Sequence, residues 1–364
     1  MSKPDLLVIG AGVFGLWTAL SAARDGLRVI VTDRAEPGAG ASGGIVGALT
    51  PHMPVRWRAL KQFQLDALLT LEAATRDLTE ATGIDTGYTR CGRLSPLVDA
   101  RARARAEEHA VAAETVWAGR ARFEVLDRPP PDLEGMLPES ACPEGLVHDT
   151  LSGRVTPRGY ITALTQAVEQ VAEIRRGWTA THVATGRACF DRGEIAADQI
   201  VLAAGWQSFS LAPVASGSGV KGQAALLQSD LPPDMPVIQM PHLYVVAHGP
   251  GRVAVGSTSE KSWEHDNTDA LLDIIIARAR AVFPALTDAP VIERWAGIRP
   301  KAPGREPMIG PVPGHPGLWM ATGGYKIGLG IAHLSGKALA AEITGSTTEH
   351  PLPADFAPFV PVPI

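Results

Sequence analysis

The segment "LLVIGAGVFGLWTALSAARDGLRVIVTD", Leu6 to Asp33, constrains this chain more than any other. An apolar run of strand length turns at Gly10 to Gly12 into an amphipathic helix closed by Gly26, and a second apolar run ends at Asp33. That order predicts a parallel βαβ unit, because a crossover helix is the usual way to return the chain to the same edge-to-edge direction. The glycines of the G-x-G-x-x-G turn differ in what they allow. Gly10 permits the turn, Gly12 admits a pyrophosphate to the helix N-terminus, and Gly15 lets helix and strand pack closely. Asp33 can accept hydrogen bonds from a ribose diol and repels a 2′-phosphate, which disfavours NADP.

The same segment carries no charge between Leu6 and Ala23 and could pass for a membrane span or a secretory h-region. Glycines placed at a strand-to-helix turn, with Asp5 immediately before the run, decide for a nucleotide fold, with cytoplasmic location and no stable membrane insertion expected. Cys91, Cys142 and Cys189 stand far apart, matching neither a zinc spacing nor a disulfide framework, and suit a reducing compartment. Net charge is −5, from 33 Lys+Arg against 38 Asp+Glu, so no basic field is available for nucleic acid. The one basic cluster, "RARARAEEHA", is answered by its own glutamates and reads as a solvated helix face.

The motif alone does not separate NAD from FAD. A second small-residue run, "GAGASGGIVGALTP", follows soon after the acid and suits backbone lying against a flat, extended cofactor, which favours FAD. At 364 residues two domains are expected. Helical spacing predicts a long helix over 59–81, and Pro157 stands near the start of another. "IVLAAGWQS", Ile200 to Ser208, reads as a buried strand that breaks at Gly205 and rejoins the first parallel sheet. Short alternating runs between Val220 and Thr258 predict an antiparallel sheet, "DALLDIIIARARAVFPAL" a further helix, and "LWMATGGYKIGLGIAHLSGKALAAEITG" a strand, a glycine turn and a closing helix. "DRPPPDLEGMLP" reads as a loop, and the proline-rich C-terminus as an extended tail.

Taken together, "VIGAGVFGLWTAL" with Asp33, "GASGGIVGALTPHMP", "GRVTPRGYITAL", "IVLAAGWQS", "VKGQAALL", "HLYVVAHGPGRVAVGSTSE", "ERWAGIRPKAPGREPMIGP" and "TGGYKIGLGIAHLSG" resemble the D-amino acid oxidase and glycine oxidase family of FAD enzymes, nearly end to end and nearest the glycine oxidase branch. The resemblance implies an α/β fold: a Rossmann-like FAD-binding domain over 1–85, 150–215 and 305–350, a substrate-binding domain with an antiparallel or mixed sheet over 86–149 and 216–304, and a tail over 351–364. It assigns Gly10, Gly12, Val13, Phe14, Gly15, Asp33 and Arg34 to the ADP half of the cofactor, Ser42, Gly43, Gly44 and Ile45 to its centre, and Ala180 to adenine. Ala204 and Gly205 fall at the strand end beside it, and Gly324, Tyr325, Lys326, Ile327, Gly328 and Leu329 along the flavin edge. FAD is expected to be non-covalent, since no cysteine follows Cys189.

"WAGIRP" sets Arg299 in an apolar run, where a charge is costly unless something pairs with it. The resemblance implies that Arg299 forks onto a substrate carboxylate, assisted by Tyr244; the alternative is an internal pair with Glu293 or Glu306. Gly324 and Lys326 depart from the histidine and arginine usual in this turn, which leaves the exact amine open. His52 and His248 read as surface or packing residues. The implied reaction is oxidation of the C–N bond of a small carboxylate-bearing amine, an amino acid or N-substituted glycine, by hydride transfer to flavin, with O2 or an electron carrier as acceptor. The alternatives are a D-amino acid dehydrogenase feeding a quinone or carrier, a flavin-linked 2-hydroxy acid dehydrogenase, and a non-catalytic FAD-binding subunit of a larger complex; a homo-oligomer is left open.

Overall fold

The structure, a computed structural model, describes residues 3–360 apart from 132, 133, 135, 136, 213, 215 and 305. β1 (Leu6–Ile9), α1 (Val13–Arg24) and β2 (Val29–Asp33) form the expected crossover unit. β1 pairs in parallel with β2 on one side and with Gln199–Leu202 on the other, so it lies mid-sheet with both faces covered. Burial on two faces is why it reads as an unbroken apolar run rather than an alternating one.

Glu173–Arg176 continues this sheet beyond β2; on the opposite side follow Leu318–Thr322, parallel, and the antiparallel edge strand Met308–Pro311. The "IVLAAGWQS" strand ends at Leu202, earlier than expected from Gly205. Ala203 instead packs against the Gly10 turn, where a Cβ on Gly10 would lie 2.3 Å from the Ala203 carbonyl oxygen.

One face of the sheet is covered by α1 and the helices Ala59–Thr82, Pro157–Glu169 and Gly328–Thr344. Pro157 takes the first turn of its helix, where its missing N–H costs nothing. The closing helix approaches α1 so closely that a Cβ at Gly336 would meet the Trp17 carbonyl carbon at 2.6 Å. The Trp17 indole N–H donates to the Tyr160 hydroxyl at 2.8 Å, satisfying two polar groups inside this layer.

The second sheet has eight strands: Val291–Lys301, Ser218–Leu227, Val253–Gly256, Leu243–Ala247, Val237–Met240, Arg93–Pro96, Leu146–Asp149 and Phe123–Leu126, in that spatial order. Every pairing is antiparallel except Val237–Met240 with Arg93–Pro96. Helix Ala270–Val282, N-capped by the Asp269 carboxylate, buries Leu272, Ile275, Ile276 and Ala279 against it. A small antiparallel sheet, Ala180–Ala184, Arg187–Phe190 and Gly193–Ala196, was not anticipated.

The "RARARAEEHA" segment is helical within Ala100–Trp117, which buries only Ala106, Ala113 and Trp117 and leaves its charges to solvent partners such as the Arg103–Glu107 pair. The tail differs from the extended form expected: Ala354–Phe356 makes a helical turn that buries Phe356 edge-on against Phe63. Positions 361–364 of that tail, and 132, 133, 135 and 136 of the "DRPPPDLEGMLP" loop, lie outside the described residues. Among the described residues no helix is long and apolar enough to cross a membrane, and no group of three or more His, Cys, Asp or Glu could hold a metal ion.

Candidate active site

A cavity of about 710 Å³ lies at the C-terminal ends of β1 and Gln199–Leu202, where the strand order reverses, and extends to Val291–Lys301 of the second sheet. That reversal is where open α/β sheets leave a crevice for ligands. The cavity is lined by each residue singled out above for cofactor or substrate except Gly15 and Gly43. Those two act from beneath: a Cβ on Gly15 would lie 1.9 Å from the Gly10 carbonyl oxygen, and one on Gly43 2.3 Å from that of Gly38.

At the β1 end, Gly10 takes φ +112°, a value that L side chains rarely adopt, and the chain then enters α1 at Val13. The Val13 N–H donates to the Ser42 hydroxyl at 3.0 Å, which places Ser42 over the positive end of the helix. Asp33 accepts from the Ala11 N–H at 2.7 Å and the Ala35 N–H at 2.9 Å. Burial pushes its carboxyl above the usual range, with those two N–H groups opposing. Each oxygen keeps a second lone pair for a diol. Arg34, Ala180, Ala204 and Gly205 line the same end, with Trp178, Thr179 and Gln207 unforeseen from sequence.

In the middle, the Gly44–Ile45 backbone lies under the Trp295 ring, whose Cη2 atom would be 3.2 Å from a Cβ on Gly44. His248 does not line the cavity. Its Nε2 lies 2.9 Å from both the Ile45 and Val46 carbonyls, so the N–H on that nitrogen donates to them and fastens this loop to the second sheet. Burial, then the Arg154 charge, pushes His248 down to about 4, which keeps it neutral. His52 does line the cavity, with Nδ1 held by the Gln64 carboxamide oxygen at 2.5 Å; burial lowers its pKa.

At the far end Arg299 projects from its strand across Gly222 of the neighbouring strand. A Cβ on Gly222 would come within 2.0 Å of the guanidinium, so the arginine occupies the space that glycine leaves. Nη1 donates to the Thr258 carbonyl at 3.2 Å and Nη2 to the Ser257 hydroxyl at 2.9 Å. Neither acid proposed from sequence pairs with it: Glu293 is bound by Arg158, and Glu306 by Arg58. Glu260 is taken up by the Thr258 hydroxyl, the Gln223 amide and the buried Lys221 ammonium, which itself sits 2.8 Å from Asp269. Among the described residues no carboxylate pairs with Arg299, and burial lowers its pKa against the opposing influence of Tyr325, Glu260 and Tyr244. Tyr244, also lining the cavity, pairs in the sheet with Gly256, next to Ser257.

The turn that follows Leu318–Thr322 closes this end. The Tyr325 N–H donates to the Pro300 carbonyl at 3.0 Å, and the Tyr325 hydroxyl lies 3.1 Å from that of Ser259. Gly324 has no room for the histidine expected from the resemblance, because a Cβ there would meet the Phe14 ring at 2.5 Å. Of the residues missed, Gly222 and Trp295 left a signal within "VKGQAALL" and "WAGIRP": a glycine inside a strand marks close approach by another group. Ser257 and Thr258 left none, because their role depends on which strand falls beside Arg299.

The FAD dependent oxidoreductase family matches residues 5–342. The chain is 31% identical over 374 residues to glycine oxidase of Pseudomonas aeruginosa, covering 97% of this chain and 98% of that protein. Solved structures of similar fold include glycine oxidase from Geobacillus kaustophilus, with TM-score 0.86 and 22% identity over 98% of both chains. Iminodiacetate oxidase from Chelativorans sp. BNC1 gives TM-score 0.84 and 24% identity over 98% of this chain and 100% of that one. The residues fit the cofactor that this family uses, since a glycine turn, a helix N-terminus and a partly desolvated acid line one end of a single cavity, and the other holds an arginine with no carboxylate partner among the described residues. The chain belongs to the DAO family of FAD dependent oxidoreductases and is an FAD enzyme.

Proposed function

We propose that the protein oxidises the C–N bond of a small amino acid or N-substituted glycine. The observation that carries this reading is Arg299: a desolvated guanidinium that lines the cavity with a carbonyl and a hydroxyl as its neighbours and no carboxylate among the described residues. A planar guanidinium matches a planar carboxylate at two points, and a two-point clamp fixes which Cα–H is presented. Tyr244 offers a hydroxyl for the same carboxylate. The relatives named above, oxidases of glycine and iminodiacetate, support a substrate of this size.

When bound, FAD supplies the two-electron acceptor for the hydride that leaves the substrate carbon. The protein's own part is to hold: Arg299 and Tyr244 orient the carboxylate, and Trp295 and the Tyr325 turn line the cavity with them. The substrate amine enters neutral, loses its N–H proton to solvent as the C–N bond becomes an imine, and water then gives an oxo acid and ammonia, or an aldehyde and a smaller amine when the nitrogen is substituted. Gly10, Gly12 to Gly15, Asp33, Arg34, Ser42 to Ile45, Ala180, Ala204, Gly205 and the 324–329 turn are proposed to hold the cofactor. The division into a discontinuous FAD domain and a substrate domain follows from the same assignment. Anaerobic addition of an amino-acid panel to the purified yellow protein tests the reading, which expects bleaching by glycine or its N-substituted relatives; a panel that leaves the flavin oxidised removes it.

Two results are expected at the cofactor. Acid denaturation should release the yellow colour into the supernatant, whereas colour left in the pellet would show a covalent bond. Asp33→Ala should weaken FAD retention by roughly tenfold to a hundredfold, because a hydrogen bond to a charged acceptor contributes about 1.5–3 kcal/mol. FAD titration of the apoprotein measures it, and unchanged affinity would take Asp33 out of the cofactor site.

A further inference from the structure

The cavity holds a second cation that the oxidation of a simple amino acid does not use. An antiparallel bridge joins Lys301 to Gly324, and the Tyr325 N–H to Pro300 carbonyl bond continues it. That bond ties the turn carrying Lys326 to the strand carrying Arg299, and both residues line the cavity. Among the described residues the other two guanidinium groups in the lining are differently placed: Arg93 is buried, 2.6 Å from Asp149 and 2.5 Å from the Gln239 carboxamide oxygen, and Arg34 adjoins Asp33 at the opposite end. Lys326 has no carboxylate partner among the described residues; its ammonium stands 5.5 Å from the Tyr325 ring centroid, a contact an aromatic face offers to a cation in any setting. Burial, then the Arg299 charge, lowers its pKa, with Tyr325 opposing, so the two cations already act on each other. Like charges that share a cavity are unfavourable until an anion bridges them; the two acids described in the lining are held elsewhere, Asp33 by the Ala11 and Ala35 N–H groups and Asp266 by the Trp263 indole N–H.

We propose that Lys326 binds a second carboxylate of the substrate, so that the preferred amine is dianionic: an amino dicarboxylate or an N-carboxymethyl amino acid spanning Arg299 and Lys326. This inference rests on the assignment of Arg299 to the first carboxylate. The competing role for an ammonium in this turn is a purely electrostatic one toward the flavin, which would act on every ligand alike.

The test uses the holoenzyme and two ligands with no oxidisable C–N bond: diglycolate, which has two carboxylates, and methoxyacetate, which has one, each titrated by its perturbation of the flavin absorbance. Wild type is expected to bind diglycolate at least roughly tenfold more tightly, the scale of one partly buried ion pair. In each FAD-loaded variant the readout is the ratio of the two affinities: Lys326→Met should bring it to about one, and Lys326→Arg should keep most of it. Equal affinity of wild type for both ligands, a preference that survives in Lys326→Met, or a variant that weakens both ligands equally would overturn the proposal while leaving Arg299 in place. If neither ligand perturbs the wild-type flavin, the Arg299 assignment falls and this inference with it.

Discussion

Arg299→Ala is expected to leave folding and the flavin spectrum largely intact while lowering kcat/KM by roughly two or more orders of magnitude. Cutting one partner of a buried charge-assisted pair costs about 2–5 kcal/mol, and here the lost partner belongs to the bound substrate rather than to the fold. The surroundings support that division, since Glu293 and Glu306 keep their own arginines, Arg158 and Arg58, whether or not Arg299 is present. Arg299→Lys should recover only part of the loss, because an ammonium cannot fork onto both oxygens. Steady-state kinetics with glycine and N-substituted glycines would measure the drop. A structural arginine would behave otherwise: the alanine variant would melt several degrees lower and shed FAD before any kinetic comparison could be made.

Gly222→Ala should reproduce much of that loss without touching a charge. Its added methyl would fall 2.0–2.2 Å from the guanidinium, so the arginine has to move. Displacement of a positioning group by an ångström can cost about 100-fold in rate, and a loss of that order in kcat/KM is expected with FAD still bound. The two substitutions act on one group and should not add: Gly222→Ala combined with Arg299→Ala should be no slower than Arg299→Ala alone. Wild-type kinetics in Gly222→Ala would mean that catalysis does not depend on the guanidinium standing against Gly222.

Much of the architecture could be read from the chain because its signals are local. The βαβ unit declares itself through glycines at fixed offsets and an acid at the end of β2, and Pro157 marks a helix start by removing an N–H that had no partner. The parallel return of Gln199–Leu202 followed from its uninterrupted apolar run. Less legible was whatever depends on which distant segments meet. The fate of Glu293 and Glu306 depends on Arg158 and Arg58, far away in sequence, and nothing near the acids announces those pairs. The fold of Ala354–Phe356 depends on a ring-sized gap beside Phe63, which proline content alone does not reveal. Gly324 in place of histidine is explained by Phe14, a residue from the opposite end of the chain.

The placement of β1 mid-sheet also orders events in time. Its neighbour Gln199–Leu202 leaves the ribosome long after it, and Leu318–Thr322 later still, so one edge of β1 stays without a permanent partner through most of synthesis. Pairings of such wide sequence separation form slowly, because the loop between them must be closed before any contact rewards the closure. The nucleotide turn at Gly10 is thus among the first segments made and among the last to acquire its full surroundings. Conditions that slow folding therefore expose an apolar strand edge for longer, and a chaperone acting on the nascent chain would find a client site in β1.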